Sequence, residues 1–134
     1  MHAAATFSVS DFAPAPVDLP GAPQTALPVG VATMAKTYAG AIEGRSATLF
    51  TSAFDPAAGV GTYVALESFE GSVDGRSGAF NFVHGASTTG EDRAHEHFLI
   101  VPSSGTGELA GISGTGGLAV DADGTHRVWL DYEV

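Results

Sequence analysis

Tyr63-Val64-Ala65-Leu66-Glu67-Ser68-Phe69-Glu70-Gly71-Ser72-Val73-Asp74-Gly75-Arg76-Ser77-Gly78-Ala79-Phe80-Asn81-Phe82-Val83-His84 decides the fold, because two alternating runs meet at an Asp-Gly pair. A two-residue Asp-Gly loop takes positive φ at both central residues and is the strongest short-range signal for a β-hairpin. Placing Val73 opposite Arg76 writes the rest of the register: Phe69 opposes Phe80, Glu67 opposes Phe82 and Ala65 opposes His84. One face then carries Tyr63, Glu67, Phe69, Phe80, Phe82 and His84, with Glu67 a diagonal neighbour of His84 at roughly 7–8 Å.

Working outward, almost every apolar segment alternates with period two, and none holds the spacing of an amphipathic helix for three turns. Strands are expected at about 4–11, 28–39, 41–54, 61–73, 76–86, 93–101, 107–120 and 125–133, broken at Glu43-Gly44, Asp55 to Gly59, Asp74-Gly75, Ser87 to Asp92, Pro102 to Gly105 and Asp123-Gly124. The fold class is all-β: one antiparallel barrel of about eight strands in meander order, a single domain over residues 1–134 with little or no helix. Five prolines in residues 13–28 make that stretch an irregular connection over one barrel end, or a lid on a pocket mouth. Tyr38 to Ser46 and Phe69 to Ser77 match as a weak internal repeat, which assigns left-handed turn geometry to Gly44 and Gly75 and relief of strand curvature to Gly40 and Gly71.

Fifteen acidic against five basic residues give a formal charge of −10, which repels nucleic-acid phosphates and anionic lipid alike and excludes both as expected partners. With no cysteine there is no disulfide framework, thiolate metal site or thiol nucleophile. The first residues lack the basic and apolar regions of a secretory signal, and no run of 18 apolar residues occurs, so a cytoplasmic location is expected.

Chemistry has to come from carboxylate, imidazole, hydroxyl or guanidinium groups. Glu67 and His84 are the candidate catalytic pair: a carboxylate among rings loses hydration, its pKa rises, and it becomes a general acid or base near neutrality. Tyr63, Phe69, Phe80 and Phe82 are the candidate substrate wall, joined by His126 and Tyr132 on the face of the last strand that also holds Val128 and Leu130. The competing reading turns this face outward, or pairs Glu67 with an arginine inside. His126 is expected opposite Asp121, as a turn pair or an oriented imidazole. Arg45 and Arg76 read as rim charges or as anchors for an anionic ligand group. His95 and His97 have the two-residue spacing of a barrel metal site, but Val101 and Pro102 stand where a cupin-type carboxylate ligand would follow, so no metal is assigned.

Ala5 to Val9, Phe69 to Phe80, Val101 to Leu109, and Asp123-Gly124-Thr125-His126 followed by Leu130-Asp131-Tyr132 together resemble a bacterial family of unknown function whose small members adopt the allene-oxide-cyclase-like β-barrel. The resemblance covers about residue 4 to the C-terminus. It implies an eight-stranded barrel with an internal pocket that self-associates as a dimer or trimer. Relatives of that architecture include allene oxide cyclase, dirigent proteins and polyketide cyclases, so the implied activity is that of a cofactor-free cyclase or isomerase on a small apolar, polyketide- or lipid-like molecule. A non-catalytic barrel that binds a hydrophobic small molecule is the alternative, and a histidine-based metal enzyme the third reading.

Overall fold

The computed structural model describes residues 1–134, and they form eight antiparallel strands closed into a barrel in sequence order. The strands are β1 (His2–Pro14), β2 (Val29–Gly40), β3 (Ile42–Asp55), β4 (Val60–Val73), β5 (Arg76–Thr89), β6 (Arg93–Ile100), β7 (Ser113–Val120) and β8 (His126–Glu133). β1 closes the ring by pairing with β8, from His2 opposite Asp131 to Phe7 opposite His126. The β4–β5 hairpin has the register dictated by Asp74-Gly75, with Val73 opposite Arg76, Phe69 opposite Phe80, Glu67 opposite Phe82 and Ala65 opposite His84.

Period-two alternation sends Phe69, Phe80, Phe82, Phe98, Ile100, Val128, Leu130 and Tyr132 into one buried cluster that fills the barrel end nearest Asp74. Removing each large ring from water contributes on the order of 1.5–3 kcal/mol, and their number fixes which face turns inward. The opposite end carries the long connection between β1 and β2, together with the β3–β4, β5–β6 and β7–β8 turns. There the inward rings of Phe7, Phe50 and Tyr63 are half-buried, so this end is the more open one.

Three sequence expectations are corrected. The seventh strand begins at Ser113, not at residue 107: Gly107–Leu109 form a single 3₁₀ turn, and Leu109 and Ile112 plug the barrel floor. Residues 101–112 instead line the lower edge of β5, where Val101 N donates to Asn81 O and Thr106 N to Ala79 O. The β2–β3 hairpin turns at Ala41, so Glu43-Gly44 lies inside β3, and Gly44, with φ +147°, pairs with Gly71 in mid-sheet rather than serving as a turn like Gly75. His126 faces Val120, because the β7–β8 loop is one residue longer than a two-residue turn, and Asp121 binds Arg127 at 2.6 Å instead.

One ladder differs from the others. β6 and β7 share a single paired position, Leu99 opposite Thr115, and above it the two strands are not paired.

Candidate functional site

β4 and β5 bring Glu67 and His84 together inside the barrel, as the hairpin register requires. Glu67 is 0% exposed and its carboxylate has four partners. Oε1 accepts from Lys36 Nζ and from His84 Nε2 at 2.7 Å, and Oε2 accepts from the Tyr38 hydroxyl at 2.6 Å and the Ser46 hydroxyl at 2.8 Å. An ionised carboxylate only accepts, so His84 carries its proton on Nε2 and leaves Nδ1 as an acceptor. The Tyr63 hydroxyl lies 3.0 Å from that nitrogen and donates to it. Arg93 Nη2 donates to the same phenol oxygen at 3.1 Å, while Arg93 Nε holds Glu96 at 3.0 Å. Every hydrogen bond from Arg93 through Tyr63 and His84 to Glu67 therefore points the same way, from the surface to the buried anion.

The electrostatics reverse one expectation. Burial pushes the Glu67 pKa up, but the hydrogen bond from His84, the charge and hydrogen bond of Lys36 and the Tyr38 hydroxyl outweigh it and hold Glu67 at about 2. A raised pKa would have followed from burial among rings alone; an ammonium within the same cluster removes that outcome. Burial pushes His84 below its ordinary value, the charges of Lys36 and Arg93 add to that, and Glu67 opposes it, so the imidazole is neutral at pH 7. Tyr38 is driven far above the usual phenol range, first by burial and then by the Glu67 charge, and stays protonated. Glu67 is thus a permanent anion that fixes its neighbours, and not itself a proton carrier near neutrality.

His84 is reached from outside through the gap between β6 and β7. A recess of about 190 Å³ opens there, with His84, Arg93, Glu96, His97, Phe98 and Trp129 in its lining. Glycines keep this wall thin: a Cβ on Gly117 would fall 2.2 Å from the Trp129 ring.

Residues 3–132 match the family described as protein of unknown function, DUF3224. The chain belongs to the DUF3224 family. It is similar to a crystal structure of a DUF3224 protein of unknown function from Shewanella oneidensis MR-1, with 29% identity and a TM-score of 0.83 over 99% of this chain and 96% of that one. A comparison with curated proteins gives no match.

In this DUF3224 barrel the aromatic wall read from the sequence sits as follows. Phe69, Phe80 and Phe82 are buried below the Glu67 cluster, and Tyr63 stacks on Phe50 at 5.1 Å toward the open end. His126 lies 5.0 Å from the Phe7 ring, whose other neighbours are Tyr38 and the Lys36 ammonium, so one ring separates it from the cluster. Tyr132 is at the far end, bonded to Asp74 at 2.5 Å. Arg45 pairs with Glu70 on the outside. His95 and His97 are exposed, His95 with φ +54° beside the irregularity in the β5–β6 pairing, and no three of the histidine, aspartate and glutamate side chains converge on one point. Sequence reasoning missed Lys36, Tyr38, Ser46 and Arg93. The inward partner of Glu67 is Lys36 rather than an arginine, and the available signal was its phase with Met34 and Tyr38 along β2.

Proposed function

We propose that this DUF3224 protein is a cofactor-free proton-transfer enzyme, an isomerase or cyclase, in which Tyr63 is the acid–base group. The observation that carries the reading is the bridging position of His84, 2.7 Å from Glu67 through Nε2 and 3.0 Å from the Tyr63 hydroxyl through Nδ1. A carboxylate that orients an imidazole, which in turn accepts from a hydroxyl, is the arrangement that activates a weak acid for proton abstraction. The Tyr63 proton passes to His84 Nδ1, Arg93 stabilises the phenolate, and the phenolate takes a proton alpha to a substrate carbonyl. Return of that proton at the conjugate carbon gives the isomer and leaves the phenolate, and the proton held on His84 Nδ1 then passes back to restore the phenol. Glu67 and His84 are positioning and relay residues in this scheme; Tyr63 touches substrate.

Tyr63 is not itself in the lining of the recess, but its two hydrogen-bond partners His84 and Arg93 are, and in this scheme the recess beside them sets the substrate size. A cavity of about 150 Å³ holds a benzene ring, so a recess of about 190 Å³ suits a single-ring carbonyl compound and not a polyketide or lipid chain. The Thr48 hydroxyl supports a polar ligand or water close by, since it is buried opposite Glu67 in the β3–β4 register and has no hydrogen-bond partner.

The test is hydrogen–deuterium exchange by proton NMR on cyclohexanone and 2-cyclohexenone in D2O, with a long-range proton–nitrogen spectrum to read the His84 tautomer. Catalysed exchange that drops at least tenfold in Tyr63→Phe, with the proton on Nε2, supports the reading. Ligand shifts without exchange would assign the barrel to non-catalytic binding, and neither effect would sink both.

A further inference from the structure

The recess beside His84 passes through the barrel wall and has an outer lip of its own. His84 and Phe98, opposite each other in the β5–β6 register, face inward and are buried. His97 opposite Gly85, and Gly117 opposite Trp129, stand one residue along from inward positions and so face outward. Residues of both faces line the recess. Consecutive glycines leave both sides of β7 bare here: a Cβ on Gly116 would fall 3.0 Å from the Phe98 ring inside, and one on Gly117 2.2 Å from the Trp129 ring outside. One aromatic ring therefore closes on the β7 backbone from each side, with Trp129 half-buried at the mouth.

Inside, the rings lie nearly flat to one another. Phe98 stacks on Phe82 at 4.9 Å with an interplanar angle of 13°, and on the His84 imidazole at 6.1 Å and 20°. Charge is not what this passage offers a ligand. Its carboxylate and guanidinium, Glu96 and Arg93, are held to each other at 3.0 Å, so neither is free to neutralise an ionised group. A net charge of −10 also holds anions off at longer range.

We propose that Trp129 sets the specificity of the recess by stacking, so that it takes an uncharged ligand whose ring is planar and conjugated with its carbonyl in preference to a saturated ring of the same size. The inference deepens the proton-transfer reading and rests on the recess being its substrate site. An indole gains from an offset or edge-on π partner beyond the area that the contact covers, whereas a puckered ring gains the area alone.

Acetophenone and 1-cyclohexylethanone test it, because they differ only in saturation of the ring. The saturated ring has at least as much apolar area, so burial without stacking gives no preference for acetophenone. Dissociation constants come from the ligands' own proton relaxation, which serves every variant, and the indole N–H of Trp129, the only tryptophan, reports contact as a single proton–nitrogen peak. The expected result is that acetophenone binds roughly threefold or more tighter and moves the indole peak. Trp129→Phe keeps the preference, Trp129→Leu brings the two constants together, and Gly117→Ala, which displaces the ring without removing it, lowers the preference as well. Equal affinities in the unmodified protein, binding of neither compound, or a preference that Trp129→Leu leaves intact overturns the proposal. Binding is read apart from turnover, so an intact preference without hydrogen–deuterium exchange strikes the Tyr63 scheme alone, and exchange at equal affinities strikes the role of Trp129 alone.

Discussion

His84 Nε2 lies 2.7 Å from Glu67 Oε1, and that same oxygen also receives the Lys36 ammonium. One carboxylate oxygen thus holds a neutral ring and a cation together in the middle of a barrel. The ring is fixed in one tautomer by a neighbour whose own charge is already balanced. Folding and the proposed chemistry share these atoms.

Replacing Glu67 by Gln leaves Lys36 buried at 4% exposure with no counter-charge. Removing one partner of a buried pair costs about 3–5 kcal/mol, and Lys36→Met is expected to cost a similar amount by stranding Glu67. The double variant loses less than the sum, with a coupling of about 2 kcal/mol or more in denaturant unfolding. Additive losses would mean that the two groups do not stabilise each other.

Acid is expected to unfold the protein in two stages. His84 has a depressed pKa in the fold, so the unfolded chain binds the extra proton first and stability begins to fall as pH drops below about 6.5. Glu67 is held at about 2 against an ordinary 4.5, so its contribution is complete above 4.5 and is lost between there and 2. That second stage is worth roughly 3 kcal/mol at 1.36 kcal/mol per pKa unit. Unfolding free energies measured from pH 8 to pH 3 check the sign: stability that rises on acidification would require Glu67 to be protonated in the fold.

Gly71 and Gly75 occupy the same hairpin and separate two kinds of glycine requirement. Gly75, with φ +80°, has no neighbour within 4 Å of an added Cβ, so Gly75→Ala costs only the left-handed penalty of about 1–2 kcal/mol. Gly71, with φ +153°, would put a Cβ 2.0 Å from the Glu43 carbonyl oxygen, so strain and overlap together bring Gly71→Ala to about 3 kcal/mol or more. Thermal melts of the two variants test the order, and equal losses would show that the sheet can relax around Gly71.

The β4–β5 hairpin was legible because a two-residue turn fixes register and register fixes faces. Fourteen residues on each strand follow from Asp74-Gly75 alone, and the Glu67 to His84 approach comes with them. The other half of the site comes from β2 and β3, and no local turn ties Lys36 or Ser46 to the height of Glu67. Alternation placed Lys36 in phase with Met34 and Tyr38, yet the same pattern fits an exposed strand until the barrel closes. The error on the Glu67 pKa has the same root, since it depended on a cation supplied from 31 residues away. Residues 107–112 misled because Leu109 and Ile112 resemble strand residues although they cap the floor, a role that only the closed end of the barrel creates.

The single Leu99–Thr115 bridge gives the ring a latch. Seven ladders hold the sheet in its curl, and the eighth can part at one paired position while the others keep their register. Breathing of this kind is a local opening, with its own free energy and timescale. Admission of a small molecule to His84 would then be timed by the latch and uncoupled from the global unfolding that the buried ion pair resists.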